Sequence, residues 1–196
     1  MNTTAIIILA AGNSSRLKKP KQLLPYQGST LIGHITRQAL LASLHPVVVV
    51  TGAFATEVNA ALQDQPVEIV FNEHWKEGMA SGIVTGLSKI LTLHPGINAI
   101  IIAVADQPYI SAALLQELTN KQTSTGKGII ACTYSDTIGT PALYSRHYFS
   151  ELSSLSGNEG AKKLLKHYAE DIATIPFPLG HIDIDTEEDY QQLLSG

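Results

Sequence analysis

Short apolar runs alternate with amphipathic stretches along most of the chain. Residues 5–9, 47–51, 67–71, 100–105 and 129–133 are apolar at nearly every position, which predicts strands buried on both faces. Residues 31–44, 56–63, 81–93 and 112–121 carry apolar positions at helical spacing, and Thr30 and Ser111 stand where N-caps belong. Buried strands separated by helices make βαβ units, so the pattern predicts an α/β fold with a mostly parallel sheet. After Ser145 the pattern loosens: 146–152 and 160–169 read as helices joined by a turn at 157–160, and 172–175 and 181–184 as short strands. Asp185 or Thr186 then caps a last helix.

In such a sheet, ligands sit beyond the carboxyl ends of the strands, so the residues just after each run matter most. The first run opens into Ala10, Ala11, Gly12, Asn13, Ser14, Ser15 and Arg16, with Lys18, Lys19 and Lys21 behind them. Small residues let the backbone approach a ligand, and successive N–H groups backed by cations meet phosphate charge. The same loop also fits a solvated connection with surface lysines, and it matches neither the G-x-G-x-x-G nor the P-loop pattern. Asp106, at the end of the fourth run, is either a carboxylate ligand for Mg²⁺ or a turn former ahead of Pro108, and its place opposite a cationic loop favours the metal. Asp183 and Asp185, two apart in an extended segment, would share one face and either join that acidic site or serve the last helix. Trp75 and Met79 follow the third run, as packing or as a substrate wall.

Composition narrows the field. A chain of 196 residues that is 44% apolar can fill one domain core but hardly two, so one domain over 1–196 is expected. A formal net charge of −4 argues against wrapping nucleic acid and makes the N-terminal cations a local site. The single cysteine, Cys132, excludes an internal disulfide and belongs in the core. With no basic leader and no run of membrane-spanning length, a cytoplasmic protein is expected, with no membrane partner and no nucleic-acid partner. Histidines 34, 45, 74, 94, 147, 167 and 181 show no zinc-ligand spacing, and no serine-nucleophile elbow is present.

Five motifs then fall in one order. They are Leu9-Ala10-Ala11-Gly12-x-Ser14-x-Arg16 with Pro20-Lys21-Gln22-Leu23-Leu24-Pro25; Asn72-x-x-Trp75-x-x-Gly78-Met79-x-Ser81; Asp106-Gln107-Pro108; Gly139-Thr140-Pro141-Ala142-Leu143; and Asp183-Ile184-Asp185-Thr186-x-Glu188-Asp189. Together they resemble the signature of the MobA-like nucleotidyltransferases, and within them the molybdenum cofactor cytidylyltransferases. The resemblance implies a nucleotide-diphospho-sugar transferase (Rossmann-like) fold, a three-layer α/β/α sandwich. It implies transfer of CMP from CTP to the terminal phosphate of molybdenum-bound molybdopterin, with release of pyrophosphate, using Mg²⁺ or alternatively Mn²⁺. A molybdoenzyme or its insertion chaperone would be the protein partner. The Ala10-Ala11-Gly12 form of the first motif is the one seen in cytidylyl transfer.

By the same resemblance, Arg16, Lys21 and Asp106 carry catalysis, and Asp106, Asp183 and Asp185 hold the metal. Leu9, Ala10, Ala11, Gly12, Ser14, Gly52, Asn72, Gly78, Met79 and Ser81 join the catalytic three around the nucleotide. Gln107, Pro108, Gly139, Thr140, Pro141 and Gly160 face the acceptor. Such a reaction needs in-line positioning and charge neutralisation rather than a covalent nucleophile, in keeping with the missing Ser–His or Cys–His set. Three places depart from the family pattern: Lys18 replaces a glycine, Gly82 a serine, and 157–162 carries Asn158 and Lys162 for Asp and Arg. Lysine keeps the charge of arginine but not its bidentate fork, so the last departure bears on the acceptor. The alternatives are a related Mg²⁺-dependent nucleotidyltransferase with another phosphorylated acceptor, or a non-catalytic molybdenum cofactor chaperone. A nicotinamide-dependent oxidoreductase is disfavoured by the missing G-x-G-x-x-G.

Overall fold

The first strand, β1 (Thr4–Ala10), is buried on both faces because it lies inside the sheet and helices cover both of the sheet's sides. The structure, a computed structural model, describes residues 3–17, 19–157 and 160–195. After β1 come a small hairpin, β2 (Pro25–Tyr26) and β3 (Ser29–Thr30), then α1 (Leu31–Leu41), β4 (Val47–Thr51), α2 (Ala55–Leu62) and β5 (Glu68–Phe71). Next are α3 (Met79–Leu93), β6 (Ala99–Val104), α4 (Ala112–Thr125), β7 (Ile129–Tyr134) and β8 (Thr137–Ser145). The chain closes with α5 (Phe149–Ser153), α6 (Lys162–His167), β9 (Ile172–Pro176) and α7 (Glu187–Ser195). Seven strands form one sheet in the order β5-β4-β1-β6-β8-β7-β9. It is parallel except for β8, which runs antiparallel to both of its neighbours.

Strand alternation sends side chains into two apolar layers. Ile6 and Ile8 pack with Ile32 and Ile35 of α1, Val58 of α2 and Leu115 of α4. Ala5 and Ile7 pack with Ile83 and Leu87 of α3, Leu152 of α5 and Leu164 of α6. The layers make the α/β/α sandwich that the resemblance implied. On α3 the close approach depends on glycine, since a Cβ at Gly86 would lie 2.7 Å from Cγ2 of Ile7.

Several expectations need correction. Residues 181–184 form no strand: a short 3-10 turn ends at His181 and the next residues run extended without a ladder partner. The segment with Gly139, Thr140 and Pro141 is no post-strand loop but the interior of β8, where the pairing with β7 shifts register beside Cys132. A β-bulge tolerates a proline that a regular central ladder would reject. The hairpin β2–β3 went unforeseen, being too short to show a pattern. Helix α1 stops at Leu41, short of 44, because Ser43 takes a φ of 59° and Leu44 N–H turns back to the Ala39 carbonyl. Helix α4 runs on to Thr125, where Gly126 closes it at a φ of 68°. Thr30 and Ser111 do cap their helices, accepting from the N–H groups of Gly33 and Leu114.

At the far edge, the buried Tyr148 hydroxyl donates to Asp171 Oδ2 at 2.5 Å, and Gly128 N–H donates to Asp171 Oδ1 at 3.1 Å. Burial would raise the carboxyl pKa, but the Tyr148 hydroxyl and the Gly128 N–H outweigh it and hold it below the usual range. Replacing Asp171 with Ala strands that hydroxyl and should cost about 1–3 kcal/mol in urea denaturation. A variant as stable as the wild type would show that the cluster contributes nothing.

Candidate functional site

The loop after β1 folds back over the end of its own strand. Ser14 takes a φ of 49°, and its Oγ accepts from Lys21 N–H at 3.0 Å. The amide of Gln22, buried at 2% exposure, donates to the Ala10 carbonyl at 3.0 Å and the Gly12 carbonyl at 2.9 Å. These bonds pin the loop and bring Lys21 to the carboxyl end of the sheet, where Asp106 stands two residues past β6.

The extended segment after the 3-10 turn supplies the other acids. Ile184 N–H donates to the Asp106 carbonyl at 3.1 Å, and its side chain is fully buried with Leu24, Leu31 and Tyr190. Neighbouring residues of an extended chain point in opposite directions, so Asp183 and Asp185 leave this cluster for the cleft. Asp189 Oδ2 accepts from Thr186 N–H and Oγ1, and Asp189 N–H returns to Thr186 Oγ1. This reciprocal capping box makes Thr186 the cap of α7 and leaves the Asp185 carboxylate to the cations.

The result is a compact charge cluster. Lys21 Nζ donates to Asp106 Oδ2 at 2.6 Å and to Asp185 Oδ1 at 2.7 Å, while Arg16 Nη1 lies 2.8 Å from Asp185 Oδ2. Burial would depress the Lys21 pKa, but Asp106 first and then Asp185 outweigh it and hold the ammonium above the ordinary lysine range. The hydrogen bond from Lys21, against partial burial, holds Asp185 below the carboxylate range, helped by the charges of Lys21 and Arg16. Asp183 is pushed up, by burial and then by its neighbours Asp106 and Asp185. Carboxylate oxygens of Asp106, Asp183 and Asp185 lie within 4.8 Å of one another. Three hard oxygen donors this close together, two of them bridged by an ammonium, suit a divalent cation.

Two cavities meet at this cluster, sharing Met79, Val104 and Asp106. The smaller, about 270 Å³, is walled by Leu9, Ala11, Gly12, Lys21, Asn72, Gly78, Met79 and Asp106, together with Trp75. The remaining residues expected around the nucleotide lie behind that wall or at its rim. Ala10 and Ser14 brace the loop as described, and Arg16 is exposed at the rim. Ser81 Oγ accepts from Asn72 Nδ2 at 2.8 Å and donates back to the Gly78 carbonyl. Gly52 lies where a Cβ would come within 2.6 Å of the Ala11 carbonyl and 2.8 Å of Trp75 Cβ, so it sets how closely Ala11 and Trp75 approach rather than lining the cavity. Gly82, one of the departures, faces Leu9, where a Cβ would come within 3.2 Å of Cδ2.

The larger cavity, about 390 Å³, is walled by Gln107, Gly139, Thr140 and Asp183, with Tyr134, Tyr144 and Lys162 also on it. Gln107 is a brace: its amide donates to the Gly180 carbonyl at 2.7 Å and accepts from Thr140 Oγ1 at 3.1 Å. Pro108 and Pro141 are buried off this wall, and Gly160, at a φ of 55°, packs beneath Met79. These three are therefore placed away from the surface expected to face the acceptor. Lys18 and Asn158 lie outside the described residues. The brace role of Gln22, and the tyrosines of the larger cavity, went unassigned, because nothing in their spacing marks them. Among the described residues no helix is long and apolar enough to cross a membrane.

A family model described as the MobA-like NTP transferase domain matches residues 6–172. A relative named nicotine blue oxidoreductase, from Paenarthrobacter nicotinovorans, is 31% identical over 200 residues, covering 96% of this chain and 95% of its own. A Bacillus cytotoxicus relative named "Probable molybdenum cofactor guanylyltransferase" is 25% identical over 206 residues, covering 100% of this chain and 98% of its own. The crystal structure of Rv0371c from Mycobacterium tuberculosis H37Rv is 31% identical and superposes with a TM-score of 0.86 over the whole of both chains. A complex of Rv0371c with manganese is 28% identical, with a TM-score of 0.81 and 99% coverage of each chain.

The depressed pKa of Asp185 sets a pH dependence. A carboxyl with a folded pKa below its unfolded value, about 3.9, adds stability that is present above that value and lost as pH falls through the folded one. Wild type should therefore melt above Asp185→Asn between about pH 5 and 7, and the two curves should converge as pH falls below the folded pKa. Parallel curves down to the acid end would rule out the carboxylate charge as the source.

Proposed function

The chain belongs to the MobA-like NTP transferase family, and from that premise we propose that it transfers CMP from CTP to the terminal phosphate of molybdenum-bound molybdopterin, releasing pyrophosphate. The observation that carries this reading is the meeting of two cavities at Asp106, one beside the phosphate-holding loop and one beyond it. That arrangement suits two substrates that must react end to end. The smaller cavity takes the nucleoside, with Ala11 on its wall in the form that the cytidylyl-transferring relatives carry. The larger takes the pterin, with Tyr134 and Tyr144 for an aromatic ring system and Lys162 for its phosphate. The relative named for molybdenum cofactor guanylyl transfer supports the acceptor class.

The transfer forms a bond from an acceptor phosphate oxygen to the α-phosphorus of CTP and breaks the bond to the β-phosphate, which leaves as pyrophosphate. Positioning and charge supply most of the acceleration in such a step. Lys21 and the rim cation Arg16 orient the triphosphate, and the backbone of the Ala11–Gly12 turn lets it approach closely. Asn72, 1% exposed, accepts from His74 N–H at 3.0 Å and donates to Ser81, which keeps the wall rigid beside the base. Mg²⁺ held by Asp106, Asp183 and Asp185 would neutralise the charge that builds on the departing pyrophosphate.

One finding favours a second reading, a redox enzyme: the relative at 31% identity is named an oxidoreductase. Against it, the dinucleotide-binding turn delivers its pyrophosphate to the N-terminus of the very next helix. Here β1 ends at Ala10 and the first α-helix begins only at Leu31.

Purified protein with Mg²⁺ and molybdenum-loaded molybdopterin, given each of the four ribonucleoside triphosphates separately, should release pyrophosphate with CTP. Asp106→Ala should lower that rate by about 10²-fold or more. Release with another triphosphate would move the specificity. No release with any of them, alongside oxidation of a reduced nicotinamide cofactor supplied together with an electron-accepting dye, would establish the second reading.

A further inference from the structure

Lys21 is in an unusual position for a residue whose work is to hold phosphates. The residue lines the smaller cavity, yet its Nζ donates to two carboxylates of the acidic triad, at 2.6 and 2.7 Å. Those two acids come from separate parts of the chain, after β6 and before α7, and the ammonium lies between them. Arg16, the other phosphate-loop cation, is also turned onto Asp185. Three carboxylates thus face two cations, and Asp183 has no ion-pair partner among the described residues. Among the described residues the cluster keeps an excess of negative charge, which favours replacing a monovalent ammonium by a divalent ion.

The backbone around Lys21 is built to stay while its head moves. Its N–H is held by Ser14 Oγ at 3.0 Å and its carbonyl accepts from Leu24 N–H at 3.1 Å. The four-carbon stem carries a compact charge with freely rotating donors, able to turn from the acids to the adjoining cavity without moving the loop.

We propose that Lys21 is a resident counter-cation of the metal site: its ammonium holds Asp106 and Asp185 in the nucleotide-free protein, and an entering divalent ion displaces it towards the triphosphate. The inference rests on the reading of Asp106, Asp183 and Asp185 as the divalent-metal site. No covalent bond changes, since one cation replaces another on the same carboxylates. Its consequence is coupling. The metal prefers the state in which Lys21 is released, and so does the triphosphate, so each raises the affinity for the other. The free ion, arriving alone, has to displace a paired ammonium and binds weakly, which keeps the acids paired until the metal–nucleotide complex arrives.

The test is the affinity for Mn²⁺ alone, read from the electron paramagnetic resonance signal of the free ion, in the wild type and in Lys21→Gln without nucleotide. The variant should bind Mn²⁺ about tenfold or more tightly, although it has lost a phosphate contact and should bind CTP more weakly. A residue that merely supports the loop would not move these two affinities in opposite directions. Equal or weaker Mn²⁺ binding by the variant would overturn the exchange and leave the metal site standing. Absence of Mn²⁺ binding by both chains would overturn the metal site, and the exchange with it. A second measurement needs only the wild type: the rate at which acetic anhydride acylates Lys21, followed by peptide mass spectrometry. Saturating Mn²⁺ alone should speed it by freeing the ammonium, and unchanged protection at saturation would overturn the exchange.

Discussion

The site depends on one constraint, the burial of Ile184. This side chain has no exposed surface and joins Leu24, Leu31 and Tyr190 beneath the loop that follows β1. Its N–H is bonded to the Asp106 carbonyl, so the segment can neither slide nor rotate. An extended chain that buries its middle residue turns the two flanking ones the other way. Asp183 and Asp185 are thereby delivered to the cleft beside Asp106, without a sheet ladder to align them.

Electrostatics then ties the two ends of the chain together. Three carboxylates brought within 4.8 Å would repel one another, and the cations of the β1 loop offset that repulsion. Lys21 bridges Asp106 to Asp185, a separation of 164 residues in the second case. Lys19 pairs with Glu187 of α7 at 2.7 Å, a contact too exposed to contribute much stability but one that lies along the same seam. Lys21 and Arg16, which would meet the triphosphate, are thus paired with Asp106 and Asp185, which would meet the metal.

The architecture explains where the two cavities fall. Parallel strands β1, β5 and β6 end on one side, and the residues at and after their ends wall the smaller cavity. The reversal at β8, with its bulge beside Cys132, puts Gly139 and Thr140 on the far wall instead of another βα loop. Gln107 joins the two halves, bonding the residue after Asp106 to Thr140 on β8 and to Gly180 ahead of the last acids. Its side chain is a strut in the fold and also part of the larger cavity's wall.

Much of this was legible in the chain itself, and the rest divides along a physical line. Local pattern determined the buried strands, the capped starts of α1 and α4, the α/β layering and the placing of Asp106 at a strand end, because burial on two faces and capping depend on nearby residues. The ordered motifs determined the family. Only the tertiary structure decided that 181–184 is not a strand, that Gly139 and Thr140 sit within β8, and that Gly52, Ser81 and Gln107 make bracing contacts within the fold. The tertiary structure also decided that Lys21 rests on Asp106 and Asp185. Each of those outcomes rests on contacts between residues distant in sequence, and no periodicity or spacing records which distant side chain will satisfy a buried amide or a carboxylate.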